Sequence, residues 1–188
     1  MKKAEQFLIG LIILGFIADS LLITGGKWVL IIGIGFLANV YLFDFNSIIE
    51  NLSLSDYNKK SKLPTKFELS KMIPGYAIVS LLLGMLFRFK TWPGGDTVLM
   101  VGFALSIVGI YILQKKLNSN RALAMGGIKR IVIFAVLGVG FYILPNYFWL
   151  ENTYKNYPEY IEARKNLDKD PENETLLSKM EEAYELTK

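Results

Sequence analysis

Apolar residues along this chain gather into five long segments that show almost no polar face. In chain order the segments are Phe7–Thr24, Trp28–Phe45, Ile73–Phe89, Thr97–Leu113 and Ile128–Leu150. Each has about the 17–25 residues that a helix needs to cross a hydrocarbon layer of about 30 Å. Helices buried in a soluble protein usually keep a polar side, which these segments lack. The pattern predicts an all-α integral membrane protein with five transmembrane helices, in a polytopic membrane domain over residues 1–150.

The first apolar segment follows Lys2 and Lys3, an arrangement shared by signal peptides and retained first helices. Its apolar run is long, it lacks a convincing small-x-small cleavage site, and a second apolar segment follows almost at once. We therefore expect a retained transmembrane helix.

An internal repeat relates the first two apolar segments to the next two. A shift of 69 residues aligns Leu14–Leu42 with Leu83–Tyr111 and gives seven identities in 29 positions, four of them glycines. The unit is a helical hairpin, and we expect a Gly-Gly pair to end each ascending helix because glycine adopts the left-handed conformation at little cost. Copies that run in the same direction predict a parallel repeat about the membrane normal. The predicted turn residues are Gly25, Gly26, Trp92, Pro93, Gly94 and Gly95.

Small residues recur within the predicted spans, where they let helix backbones approach closely. A ligand role for them is the weaker alternative. The residues that we expect to pack against neighbouring helices are Gly15, Gly33, Gly84, Gly102 and Ser106.

Two charged residues occupy equivalent positions of the repeat. Asp19 and Arg88 each lie six residues before the Gly-Gly pair, so parallel copies place them at one depth. A lone charge at mid-helix costs about 2.5–3.5 kcal/mol to insert, and pairing lowers that cost. We expect an intramembrane ion pair between Asp19 and Arg88. The alternative is that Arg88 extends to the headgroups beside Lys90 while Asp19 lines a wet crevice.

Basic residues in the loops predict the orientation, because cytoplasmic loops retain an excess of lysine and arginine. The basic residues on one side are Lys2, Lys3, Lys59, Lys60, Lys62, Lys66, Lys71, Lys115, Lys116, Arg121, Lys129 and Arg130. The two turns on the other side carry only Lys27, Arg88 and Lys90. We expect the protein in the bacterial inner membrane, with a cytoplasmic N-terminus and, after five spans, a periplasmic C-terminus.

The C-terminal segment over 151–188 is predicted to form an extracytoplasmic helical tail. It holds ten acidic and six basic residues. Helices are expected over Glu159–Leu167, after Pro158, and again after Pro171. This hairpin either packs on itself or on the membrane surface, or docks a partner helix. The apolar stripe available for docking is Leu176, Leu177, Met180 and Tyr184.

The chain contains no cysteine and no histidine. This removes thiolate chemistry, the usual general base, and the usual zinc and haem ligands. No Walker loop, HExxH or GxSxG pattern is present. We therefore expect no catalytic residues, no cofactor, no metal site and no nucleic-acid partner.

The residues Leu86, Phe87 and Arg88, followed by Trp92, Pro93 and Gly94 and then by Gly102, resemble the GldL family. These proteins are inner-membrane subunits of the gliding-motility and type IX secretion motor of Bacteroidetes. The resemblance covers about Gly84–Leu113. Where the family has a glutamate, the candidate proton carrier, this chain has Ser106, and Arg88 replaces a lysine. The family proteins also have two spans and a cytoplasmic continuation, so the resemblance implies a hairpin scaffold without proton conduction.

Together these features predict a non-catalytic membrane subunit that assembles with other membrane proteins. The resemblance implies an ion-driven motor, of the gliding and type IX secretion kind or of the ExbB/ExbD kind, as the complex that it braces. The tail would contact an extracytoplasmic partner. The alternative is a small ion or solute transporter or channel, in which Asp19, Asn39, Asp44 and Arg88 line a pathway; a membrane enzyme ranks third.

Overall fold

A computed structural model describes the backbone of residues 2–50, 69–115, 117–118, 121–145 and 147–187. The side chains at 2, 43–50, 69–71 and 123 lie outside this description, as does the loop over 51–68, whose lysines entered the predicted orientation. Over the described residues the chain is entirely helical, without strands, as predicted. The helices are α1 (Lys2–Ser20), α2 (Gly26–Glu50), α3 (Leu69–Phe89), α4 (Gly95–Lys115), α5 (Arg121–Ile143), α6 (Phe148–Thr153), α7 (Pro158–Lys169) and α8 (Glu174–Glu185).

Among the residues that the structure describes, three helices are long and apolar enough to cross a membrane: Met72–Phe89 in α3, Gly95–Lys115 in α4 and Ala124–Ile143 in α5. The apolar stretch of α2, Gly26–Leu42, is shorter, and α1 has charged residues near both of its ends. The predicted fifth span was wrong at its C-terminal end, because α5 stops at Ile143 rather than continuing to Leu150. Pro145 explains the stop, since proline disfavours helical backbone at the residue before it and cannot donate a helical hydrogen bond.

The chain divides into two compact units, Met1–Leu144 and Pro145–Lys188, whereas the sequence pattern placed the boundary after Leu150. In the first unit α1 pairs with α2, α3 pairs with α4, and α5 packs against both α3 and α4. The central helix is α3, which has 61% of its apolar span buried against 28% for α4 and α5. Its residues Ala77, Ile78 and Leu81 are fully buried.

The two hairpin turns have the same backbone conformation at equivalent positions. Leu22 and Thr91, which the 69-residue shift aligns, adopt left-handed φ angles of 55° and 52°. Gly25 and Gly94, also aligned, have φ angles of 88° and 83°. The repeat that was inferred from seven identities therefore extends to residues that are not identical.

Each ascending helix ends in a Schellman motif, in which two amides beyond the helix bond back to its last carbonyls. The amides of Leu22 and Ile23 donate to the carbonyls of Asp19 and Ala18 at 3.1 and 2.9 Å, and the equivalent bonds of the second turn are 3.2 and 2.8 Å. The Gly-Gly pair was expected to end the ascending helix, and this was wrong. The left-handed residue at the helix end is Leu22 or Thr91, whereas the second glycine of each pair begins the descending helix.

Glycines hold the two helices of each hairpin at close range. A methyl group added to Gly15 would lie 2.5 Å from the Leu30 backbone nitrogen, and one added to Gly84 would lie 2.8 Å from that of Leu99. These are equivalent contacts of the repeat. Gly33 likewise lies close to Ile12, and the aligned Gly102 lies close to Leu81. Gly26 lies close to Asp19, and the aligned Gly95 lies close to Arg88. The predicted packing position Ser106 is 4% exposed, and its hydroxyl donates to the Gly102 carbonyl at 2.7 Å.

The second unit contains a helical hairpin of α7 and α8. Asn173 caps α8, because its side-chain oxygen accepts hydrogen bonds from the amides of Thr175 and Leu176. The rings of Tyr160 and Tyr184 join the two helices at 5.5 Å. Burial raises the pKa of the Tyr160 hydroxyl, so this group is neutral at physiological pH. The hairpin thus packs on itself, which is one of the two predicted roles.

Candidate functional site

Three polar residues from three helices meet at the end of the first unit opposite the hairpin turns. Glu5 of α1, Tyr41 of α2 and Arg130 of α5 form what we call the Glu5 cluster. The Arg130 Nε and Nη2 donate to the two carboxylate oxygens of Glu5, each at 2.7 Å. The Tyr41 hydroxyl donates to Glu5 Oε1 at 2.5 Å. Glu5 is 5% exposed and Tyr41 is fully buried. A bidentate guanidinium–carboxylate pair in such a place is a strong and directional contact.

The sequence pattern does not predict the Glu5 cluster. Glu5 stands beside Lys3 and belonged to a charged N-terminal flank, while Arg130 counted as a loop residue. In the structure α5 begins at Arg121, which places Arg130 more than two turns inside that helix. One signal was present: Glu5 lies one turn before Ile9 and seven residues before Ile12, on the face of α1 that also carries Phe16.

We call the end of the first unit that contains the two hairpin turns the turn end. The charged residues there have partners that differ from those predicted. Asp19 pairs with Lys90, whose Nζ lies 2.8 Å and 3.1 Å from the two carboxylate oxygens. Arg88 pairs with Asp96 of α4. The expected Asp19–Arg88 ion pair is therefore corrected to Asp19–Lys90. Asp19 belongs to the first hairpin and Lys90 to the second, so the observed ion pair joins the two hairpins.

Arg88 is only 9% exposed. Its Nη2 donates to the carbonyl of Leu144 at 2.6 Å and to that of Tyr142 at 3.3 Å. These carbonyls end α5, where the helix dipole places partial negative charge. Arg88 thus connects α3 to α4 through its ion pair with Asp96. It connects α3 to α5 by donating to carbonyls that the end of α5 leaves unpaired.

A double-mutant cycle checks the corrected pairing. We expect Asp19→Asn and Lys90→Gln to show a coupling of about 1 kcal/mol in unfolding free energy, because residues in one salt bridge are not independent. Asp19→Asn and Arg88→Gln should be additive to within about 0.5 kcal/mol, since they share no contact. Unfolding of the purified protein in detergent measures both. Coupling to Arg88 without coupling to Lys90 would restore the original pairing.

An apolar cleft of about 390 Å³ lies in the first unit among helices α1, α2, α3 and α5. Its lining is entirely apolar. The residues that matter for its shape are Ile9, Ile13, Phe16, Phe89, Phe134 and Leu137. α1 packs along α2 but reaches the other helices through side chains, with the Phe16 and Phe89 rings 4.5 Å apart. The pairs Glu5–Arg130 and Asp19–Lys90 lie just beyond the two ends of the cleft.

Of the four residues proposed for a transport pathway, the three whose side chains are described have separate contacts. Asp19 and Arg88 are each paired at the turn end. Asn39 is exposed on α2, where its Nδ2 donates to the Gly35 carbonyl at 3.0 Å. The side chain of Asp44 lies outside the described residues.

The tail residues predicted to dock a partner differ in exposure. Leu176, Met180 and Tyr184 are half-buried, whereas Leu177 is 41% exposed. The apolar stripe of α8 is thus partly buried within the second unit.

Within the part of the chain that the structure describes, no group of three or more acidic residues could hold a metal ion. The buried ion pairs of the first unit connect different helices, and the cleft described above is apolar. Searches against protein-family models, curated proteins and solved structures find no match to the chain.

Proposed function

We propose that this chain is a non-catalytic subunit of the bacterial inner membrane that assembles with, and braces, a multi-protein membrane complex. It crosses the bilayer five times, with α1 and α2 as the first two spans, the N-terminus in the cytoplasm and the tail in the periplasm. The loop charges support this orientation. The best candidate complex is an ion-driven motor of the gliding and type IX secretion kind or of the ExbB/ExbD kind, and this choice rests on the resemblance at Leu86–Gly94.

The observation that carries the assembly role is the exposed amide of Asn39 on α2. Gly35, one turn away, has open space around its Cα, and Phe36 beside it is 61% exposed. The Asn39 Oδ1 has no partner among the described residues. In hydrocarbon, exposed amides and small residues promote helix association, because a partner helix satisfies the amide and the glycine permits close approach. We infer that this face of α2 receives a helix of the complex.

Asn39→Leu is expected to reduce recovery of the complex from mild detergent about threefold or more, since interhelical polar contacts contribute about 0.6–2 kcal/mol. A photo-reactive residue in place of Phe36 should crosslink to the partner in membranes. The matched control is Tyr111→Leu on α4, which is 55% exposed and should leave recovery unchanged. Quantitative mass spectrometry of the purified complex provides the measurement.

Proteoliposomes containing the purified chain alone test the transporter alternative. Subunit function predicts no ion or solute flux above protein-free vesicles. Flux that Asp19→Asn or Asn39→Leu abolishes would overturn the proposal, and so would a complex that forms equally well with Asn39→Leu and with wild type.

A further inference from the structure

We propose that the apolar cleft lined by α1, α2, α3 and α5 holds part of one acyl chain of an anionic phospholipid, with the headgroup at the end of the Glu5 cluster. This site is separate from the Asn39 face and does not depend on which complex the chain joins. Three observations carry the assignment: the mouth of the cleft, its size, and the charges at its two ends.

The cleft opens sideways between α1 and α5. Two of its lining residues are also exposed at the surface, Ile13 on α1 at 54% and Leu137 on α5 at 50%. We call Ile13 and Leu137 the lips of the cleft. In a bilayer, the medium outside these lips is lipid hydrocarbon. Water is a poor occupant because an apolar wall offers it no hydrogen-bond partners.

The cleft has the dimensions of part of one hydrocarbon chain. Its lining runs from Ile9 to Phe16 on α1 and from Phe134 to Phe141 on α5, which is about 10 Å along each helix axis. A cleft of about 390 Å³ and that length accommodates a stretch of a single narrow, flexible acyl chain.

The charges on the two helices that form the mouth distinguish its ends. At the Glu5 end, α1 and α5 carry the exposed Lys3 and Lys129, and Arg130 keeps 20% of its side chain exposed while it binds Glu5. Glu5 matches the charge of Arg130, which leaves two exposed lysines at this end. At the turn end, Asp19 and Asp96 match Lys90 and Arg88, which leaves the exposed Lys27 of α2. Basic pockets between transmembrane helices bind anionic headgroups, so the phosphate lies at the Glu5 end.

Native mass spectrometry of the purified full-length chain tests the acyl-chain site. The probes are phosphatidylglycerol and phosphatidylcholine with identical acyl chains. Ile13→Trp and Leu137→Trp fill the lips and should each weaken lipid binding about tenfold or more, because a few buried methylene groups carry that much affinity. The matched controls are the adjacent exposed residues, Leu14→Trp and Val136→Trp, both 65% exposed and absent from the cleft lining, which should bind as wild type.

The headgroup is tested by Lys129→Gln, which should lower the affinity for phosphatidylglycerol about fivefold and leave phosphatidylcholine unchanged. Arg121→Gln is the control, because it removes an exposed charge at the first residue of α5. Thermal unfolding in detergent confirms that each variant is folded, and the two lips provide independent tests of the same site.

Equal lipid retention by lip and control variants would overturn the acyl-chain site. Equal affinity for the two lipids in the wild-type chain would overturn the headgroup assignment. A dimer that the lip variants dissociate, with lipid binding unchanged, would assign the cleft to a second copy and would also overturn the proposal.

Discussion

Arg130→Ala is expected to lower the free energy of unfolding by about 3–5 kcal/mol, the largest loss expected from a single substitution in this chain. The variant leaves the Glu5 carboxylate, which is 5% exposed, without its bidentate cation in a low-dielectric setting. Removing one member of a buried ion pair is much more costly than replacing both. Reversible unfolding in mixed detergent micelles, followed by circular dichroism, measures the loss.

Arg121→Ala is the control for this prediction, because Arg121 is an exposed arginine of the same helix and should change stability by no more than about 0.5 kcal/mol. A second check uses Glu5→Gln together with Arg130→Gln. Since the double variant buries no unpaired charge, its loss should be clearly smaller than the sum of the two single losses. Simple additivity would show that the contact does not stabilise the protein.

The Asp19–Lys90 pair shows how far sequence periodicity can locate a contact. The repeat correctly places Asp19 at the level of the second hairpin turn. Depth alone does not determine which way a side chain faces, since Arg88 and Lys90 differ by two residues and therefore by about 200° around the helix axis. Arg88 is also drawn to the last carbonyls of α5. The sequence pattern does not predict this second set of partners for Arg88, because the apolar run predicts a helix that continues to Leu150. The helix ends before Pro145, and its last carbonyls are therefore free to accept hydrogen bonds from Arg88.

The Glu5 cluster marks a different limit. Its ion pair joins residues 125 positions apart, and no local pattern links them. The segment of α1 is apolar on all sides, so its pattern does not predict which of its residues line the cleft. It also does not predict that an acid next to Lys3 turns inward, because flanking charges are ordinarily solvated. The glycine contacts, by contrast, were accessible from the repeat alone.

Gly84→Ala is expected to destabilise the protein by about 1–3 kcal/mol, the second large effect. The added methyl would lie 2.8 Å from the Leu99 backbone nitrogen and 2.7 Å from its Cγ. A backbone atom cannot rotate away as a side chain can, so α3 and α4 must separate. Thermal unfolding in detergent provides the measurement. Gly15→Ala, the equivalent change in the first hairpin, should give a loss of the same order.

The matched control is Gly10→Ala in α1, where nothing lies within 4 Å of the added methyl. It should be neutral or should stabilise the protein by up to about 1 kcal/mol, because alanine favours helix over glycine. Equal effects of Gly84→Ala and Gly10→Ala would mean that helix propensity, rather than close approach within the hairpins, governs these positions.

The capping of α5 by Arg88 makes the two similar hairpins chemically unequal. A helix C-terminus attracts cations and repels carboxylates. The first hairpin has Asp19 at the position equivalent to Arg88, so it cannot cap α5 in this way. One position of the repeat therefore specifies which hairpin receives the C-terminus of α5, although Glu5 of the first hairpin also binds that helix through Arg130.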